Sequence, residues 1–188
     1  MSDLVLELRE KRHRLGLKGP RAADWLAAQG IELPATPNTW THSEEAIAAD
    51  PLLVGRLGTA EFFLEDGTGG TALARIAPAL EKNPPGVYPV LREDWAFRLG
   101  GEGVHDVLAQ VCNVNFAALS LDSRPLIMTL MIGVAVLVVP QSVAGGGPDG
   151  AAGRRYRIWC DPTFGPYLGE SLGTVVIECG GSYTGVSG

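Results

Sequence analysis

The stretch Arg154–Leu172, RRYRIWCDPTFGPYLGESL, decides how this chain is built. From Arg155 to Cys160 polar and apolar residues alternate. Tyr156, Ile158 and Cys160 share one face, and Arg155, Arg157 and Trp159 share the other. That period is the mark of a half-buried strand. Asp161 and Pro162 end the ladder, because Pro162 has no N–H to donate. A helix follows. It opens at Pro162 with Asp161 as cap or at Pro166 with Gly165 as cap, since proline suits the first helical position in either case. Phe164, Leu168, Leu172 and Val176 recur at every fourth position and line one face. Gly165, Gly169 and Gly173 run beside them. A glycine inside a helix costs about 1 kcal/mol against alanine. Glycines in register therefore predict that another backbone, from this chain or a partner, lies close against that face. They are candidate interface residues, on a last strand and helix expected to close a sheet.

Composition narrows the rest. The chain has 188 residues, a formal charge of −6 and a pI near 5.0. That length supports one sizeable core, or two small halves sharing a sheet-rich core. The acidic balance argues against general nucleic-acid binding. The basic cluster Arg9–Arg14, REKRHR, reads as a solvated segment. Cys112, Cys160 and Cys179 are widely spaced with no CxxC pattern, which predicts reduced thiols in a cytoplasm and no zinc site. No charged segment followed by an apolar run opens the sequence, so no signal peptide is expected. The longest apolar run, Leu126–Val139, lies between Pro125 and Pro140 and is shorter than the ~20 residues of a membrane helix. With Gly133 in its middle and β-branched residues after it, the run predicts two buried strands or one long bent strand, and no membrane contact.

Periodicity places the remaining elements. Leu15–Leu17 is a short strand, and Gly19-Pro20 turns into a helix from Pro20 to Gln29 with Gly30 as a left-handed stop. Ile31–Pro51 reads as a long connection, with a short helix at Ser43–Ala49 capped by Ser43. Trp40 lies within it and is the tryptophan expected at an interface. Leu53–Leu57 and Glu61–Glu65 are strands with Gly58 between them. Thr71–Lys82 is a helix kinked by Pro78, and Val87–Leu91 and Trp95–Leu99 are strands. Gly103–Cys112 is amphipathic, with Val104, Val107, Leu108 and Val111 inward and His105 outward. Ser142–Gly153 is a Gly-rich hairpin tip. Residues 1–12 and 180–188 are expected to be flexible ends of a single domain spanning 1–188. Adjacent strands joined by short turns imply antiparallel pairs. The fold class is α+β, with antiparallel sheets, helices on one face and two ferredoxin-like halves.

No catalytic constellation stands out. Gly67–Ala72, GTGGTA, matches G-x-G-x-x-A, and Glu93 and Asp94 follow at roughly the 20-residue spacing of a dinucleotide site. Against this, Glu61–Glu65 is acidic at both ends, whereas a central parallel strand is apolar throughout. Pro78 also damages the helix that would hold the phosphates. An ordinary Gly-rich turn is the plainer reading. His13, His42 and His105 show no ligand spacing and read as surface residues. Cys160 reads as a buried, inert thiol. Glu61, Asp66, Glu93 and Asp94 could supply an acid or base, but acids at strand ends are usually solvated.

Four blocks resemble a known family. Leu17–Leu26 (LKGPRAADWL) is similar to its strand–Gly-Pro/Asp-Ala–helix opening, and Arg56–Leu64 (RLGTAEFFL) to its R-L-G-x-x-E-F-L-L block. Val107–Phe116 (VLAQVCNVNF), with Met128-Thr129 and Gly133-Val134, resembles its helix–cysteine–strand segment. Tyr156–Trp159 (YRIW) with Tyr167-Leu168 resembles its last strand and helix. The family is that of the gamma subunits of heterotetrameric sarcosine oxidases and related N-methyl amino acid oxidases, within the aminomethyltransferase (glycine-cleavage T-protein-like) superfamily. Thr129 is followed by Leu130 where the family carries arginine, a departure that points to a divergent branch.

The resemblance implies a fold like the folate-binding domain of aminomethyltransferases, in a subunit with no active site or cofactor of its own. It also implies larger alpha- and beta-type partner chains holding flavin (FAD/FMN), NAD and tetrahydrofolate, with a small delta-type chain as a further partner. A free-standing tetrahydrofolate-binding protein is the alternative, with Glu61 or Asp94 as the acid that would meet a pterin ring.

Overall fold

Segments of period two and period 3.6 alternate along the chain. The structure, a computed structural model describing residues 3–8, 12–43, 51–142 and 153–185, gives each its element. In chain order these begin with β1 (Val5–Leu8), β2 (Arg14–Lys18), α1 (Ala22–Ala28), β3 (Thr39–Ser43), β4 (Leu52–Gly58), β5 (Glu61–Glu65), α2 (Ala72–Leu80) and β6 (Tyr88–Val90). They continue with β7 (Trp95–Gly100), α3 (Val104–Val111), β8 (Ile127–Met131), β9 (Val134–Ser142), β10 (Arg154–Cys160), α4 (Gly165–Glu178) and β11 (Ser182–Thr184). The fold is α+β with two antiparallel-rich sheets. The chain divides into two compact units, named here for their place in the sequence: a middle unit, Arg12–Glu93, and a flanking unit, Met1–Lys11 with Asp94–Gly188.

The middle unit is a five-stranded antiparallel sheet in the order β3-β4-β5-β2-β6. Its segment β2-α1-β4-β5-α2-β6 has the ferredoxin-like order, with β3 added beyond β4. Leu17, Leu26, Val54, Phe62, Leu64 and Ile76 form the core between the helices and one face of the sheet. Opposite charges meet across β2 and β5, where Arg14 lies opposite Glu65 and Lys18 opposite Glu61. Arg56 shows what the RLGTAEFFL block does. Its guanidinium donates to the carbonyls of Pro34 (3.2 Å), Ala35 (2.9 Å), Gly58 (3.3 Å) and Thr59 (3.1 Å), and lies 5.6 Å over the Phe62 ring. One half-buried side chain thus ties a connection and a turn to the sheet.

The flanking unit is a six-stranded sheet in the order β11-β1-β7-β10-β9-β8. The segment β7-α3-β9-β10-α4 repeats the ferredoxin-like scheme. The slot beside β7 that its last strand would take is filled by β1, antiparallel to β7, and β11 adds outside β1 in parallel. Leu4, Leu6, Phe97, Tyr156, Ile158 and Leu168 belong to its core. The inward set expected on α3 (Val104, Val107, Leu108, Val111) is buried.

Several expectations change. Residues 1–12 are not flexible throughout: β1 is an interior strand, with Leu4 and Leu6 at 1% and 0% exposure. Its alternation is masked in the sequence by the charged cluster that follows. The expected tail over 180–188 contains β11, while residues 186–188 lie outside the described residues. The connection Ile31–Pro51 contains β3, whose last residue is Ser43. The rest of the expected Ser43–Ala49 helix, and residues 143–152 of the expected hairpin tip, also lie outside the described residues. Nor does β10 close its sheet, since it runs between β7 and β9.

Leu126–Val139 is a strand pair, turned at Ile132 (φ 49°) and Gly133 (φ 80°). Positive φ at both central residues is the tight hairpin geometry matched to strand twist. Gly133 takes it freely, but Ile132 does so against its β-branch. The Ile132 amide donates to the Val111 carbonyl (3.0 Å), which ties the turn to the end of α3.

The chain after β10 turns at Pro162 with Asp161 as cap, as the first expected opening has it, while Gly165 is the first residue of α4 and not its cap. The Asp161 carboxylate accepts from the Thr163 amide (2.8 Å) and caps a short 3-10 turn, Pro162–Phe164; α4 then starts at Gly165 with Pro166 in its first turn. Because the 3-10 turn winds tighter than the α-helix, Phe164 falls off the apolar face and is 49% exposed, while Leu168, Leu172 and Val176 are buried as expected.

Candidate functional site

The sequence singled out Gly165, Gly169 and Gly173 as a face for close contact, and the contact is made by side chains of the same unit. A Cβ on Gly165 would sit 2.2 Å from Trp95 Cδ2. One on Gly169 would meet the Tyr183 hydroxyl at 2.8 Å and Phe97 Cε1 at 3.0 Å, and one on Gly173 would meet Tyr183 Cδ1 at 2.5 Å. Aromatic rings from β7 and β11 fill the groove that the missing side chains leave. Trp40 is only 9% exposed, on β3, with the His42 ring edge-on at 5.0 Å.

At the Gly67–Ala72 turn an acid of the chain stands where a phosphate would accept. The carboxylate of Asp66 accepts from the Leu73 amide in the first turn of α2 (3.3 and 3.4 Å), where a bound phosphate would accept. The Asp66 amide in turn donates to the His13 carbonyl (3.0 Å), and Arg12 donates to Thr68 Oγ1 (2.9 Å). The preceding strand, β5, is antiparallel to both its neighbours, unlike the parallel strand of a dinucleotide fold. The residues at this turn do not fit NAD.

The other candidates are dispersed. Glu61 lines a shallow groove of about 370 Å³ with Lys18, Tyr88 and the Gly58–Ala60 turn. Its carboxylate is 3.9 Å from Arg92 and roughly half exposed, so it is not the acid in an apolar pocket that a pterin ring requires. Asp94 belongs to the other unit, at the start of β7. Burial, then the charges of Asp94 and Asp161, push the Cys160 thiol up to about 11. It stays protonated near neutral pH and is a poor nucleophile. Cys112 is buried, with its sulfur 3.7 Å from Thr129 Oγ1. Among the described residues no group of three His, Cys, Asp or Glu side chains is placed to hold a metal.

His105 departs from its expected surface role. Its Nε2 lies 2.7 Å from the Tyr156 hydroxyl, so the ring links α3 to β10. Burial, and next the Arg154 guanidinium, lower its pKa from 6.5, while Asp106 opposes them. A depressed histidine pKa means that the folded state favours the neutral ring. The stability this contributes is complete above 6.5 and is lost as pH falls through the lower folded value. The melting temperature of the wild type should therefore fall between about pH 7.5 and about pH 5 more than that of His105→Gln. Thermal scans of both proteins at the two pH values, in matched buffers, check this. Equal losses would remove His105 from the account.

The exposed apolar surface that sequence reading missed lies on β8, the edge strand beyond β9. Met128 and Leu130 are 54% and 59% exposed, on the same side two residues apart. Ala135, opposite Leu130 on β9, is exposed as well. The strand, IMTLM, carries no charge, whereas natural edge strands are usually blunted by charge or proline. Phe164 and Tyr167 make a second exposed pair around the start of α4. In the sequence, 126–131 is apolar at nearly every position, so no alternation marked which residues face out.

No family model matches the chain, and no curated protein matches it in sequence. Solved structures do. The fold aligns with glycine cleavage system aminomethyltransferase T from Bartonella henselae at a TM-score of 0.66 and 17% identity, covering 98% of this chain and 48% of that one. It aligns with a chain of the heterotetrameric sarcosine oxidase from Corynebacterium sp. U-96, in a complex with pyrrole 2-carboxylate, at a TM-score of 0.67 and 21% identity, covering 96% of this chain and 87% of that one. The chain thus spans about half the length of the aminomethyltransferase. Both likenesses place the fold with these proteins.

Proposed function

We propose that this chain is a non-catalytic, gamma-type subunit of a multi-subunit, flavin-dependent oxidase or dehydrogenase acting on N-methyl amines such as sarcosine. The observation that carries the reading is the extent of the likeness. The alignment with the sarcosine oxidase chain runs nearly from end to end of both chains, whereas it takes in only half of the aminomethyltransferase. On this reading flavin, NAD and tetrahydrofolate sit on larger alpha- and beta-type chains, with a small delta-type chain as a further partner, in a cytoplasmic complex. This chain stabilises the complex near its folate-linked site. The uncharged edge strand β8 supports the reading, because an apolar edge left open on a lone chain invites pairing.

Gentle affinity purification of the tagged protein from its native host, read by absorbance and subunit composition, tests it. The expected result is a yellow complex containing larger chains. A colourless protein emerging alone would sink the proposal and favour the free-standing folate-binding alternative. Within the complex, Met128→Lys with Leu130→Glu should weaken association by about 30-fold or more, the scale of a lost hot spot. Both side chains are exposed, so the fold should hold, as it does for most surface changes. Unchanged co-purification of that double variant would remove β8 from the interface.

A further inference from the structure

On the flanking unit, the Gly100–Gly101 turn opens a cavity of about 190 Å³ lined in part by Asp3, Glu7, Arg98 and Arg155. Its acids are already engaged. Asp3 Oδ1 accepts from the Glu102 amide (2.6 Å), and Glu7 Oε2 accepts from Arg98 Nε (2.6 Å) and from Arg98 Nη2. Arg154, at the rim, turns its side chain away and donates to the Phe116 carbonyl (3.0 Å). The guanidinium of Arg155 is left with no hydrogen bond or salt bridge among the described residues. Burial lowers its pKa first, then the charge of Arg98, and Glu7 compensates only in part. A partly desolvated cation beside a second cation favours an anion.

The floor is shaped for close approach. Gly100 lies opposite Arg155 across the β7–β10 ladder, and a Cβ there would sit 3.3 Å from the Arg154 carbonyl oxygen and 3.6 Å from Arg155 Cα and Cγ. Without that methyl, a small group can reach the backbone beneath the guanidinium. We propose that Arg155, over the Gly100–Gly101 floor, binds a small carboxylate. The planar guanidinium matches a carboxylate with two parallel N–H···O bonds, and a cavity of about 190 Å³ admits a group of that size but not a nucleotide.

The inference does not depend on the proposed subunit role, and its test can succeed or fail separately. Malonate is titrated into the ¹⁵N-labelled full-length chain at constant ionic strength, with sodium chloride as control, and the Gly100 and Gly101 amide shifts are followed. Saturable shifts are expected with malonate and not with chloride. Arg155→Gln should weaken the affinity about tenfold or more, and Arg155→Lys, which keeps the charge but loses the fork, should weaken it less. If Arg155→Gln melts below the wild type, Gly100→Ala serves instead, because its methyl would occupy the floor. Shifts matched by chloride, or unaltered in the tested variant, would overturn the proposal. So would much tighter binding of a glutamate-rich hexapeptide, which would assign the site to an acidic segment of another protein.

Discussion

Glu65→Ala should cost about 3–5 kcal/mol of stability, the penalty for stranding one member of a buried ion pair. Arg14 and Glu65 face each other across β2 and β5, and Arg14 Nε donates to Glu65 Oε2. Their side chains are 2% and 1% exposed, so water cannot take over when one partner is removed. Glu65→Gln should recover little, because it keeps the shape and an acceptor but removes the charge opposite the guanidinium. The double replacement Arg14→Met/Glu65→Leu should behave differently. Removing both charges removes both desolvation costs, so the outcome is expected near neutral, or stabilising by up to about 4 kcal/mol. Urea midpoints at constant m-value measure all three variants. A loss below about 1 kcal/mol for Glu65→Ala would place the pair among ordinary surface bridges.

The second large effect is Gly165→Ala. In an unobstructed helix the change would gain about 1 kcal/mol. Here it should lose about 1–3 kcal/mol, as overpacking does, because the new methyl would meet the Trp95 ring at 2.2, 2.4 and 2.6 Å. The cause can be isolated. In the background Trp95→Leu the ring is gone, and Gly165→Ala should turn neutral or stabilising, a coupling of more than about 1 kcal/mol. Equal effects in both backgrounds would mean that the glycine serves something other than the ring. Gly173→Ala is expected to cost less than Gly165→Ala, since Tyr183 lies on a short edge strand that can shift.

These effects show why the glycine register was visible before its meaning was. Small residues at i, i+4 and i+8 record that something large lies against them. They do not record whether it is a backbone, a partner or a ring of the same unit. Likewise, the four-residue period across Phe164–Val176 was legible, yet Phe164 leaves the face because three residues of 3-10 turn precede the helix. The period of α3 puts His105 on its solvent-facing side. Its hydrogen-bond partner is Tyr156, 51 residues away, which no local period encodes.

By itself the sequence determined the elements whose signal is local. These are the alternation in β10, the apolar stripes of α3 and α4, the proline and aspartate that open the last helix, and the short turns that make the fold α+β with antiparallel pairs. The tertiary structure alone decided what depends on distant partners. It inserted β1 between β7 and β11, made β10 interior, filled the glycine groove with Trp95, Phe97 and Tyr183, and left Met128 and Leu130 on an open edge. The physical reason is that local periodicity follows from backbone geometry over a few residues. Strand neighbours and burial follow instead from which distant surfaces exclude water together.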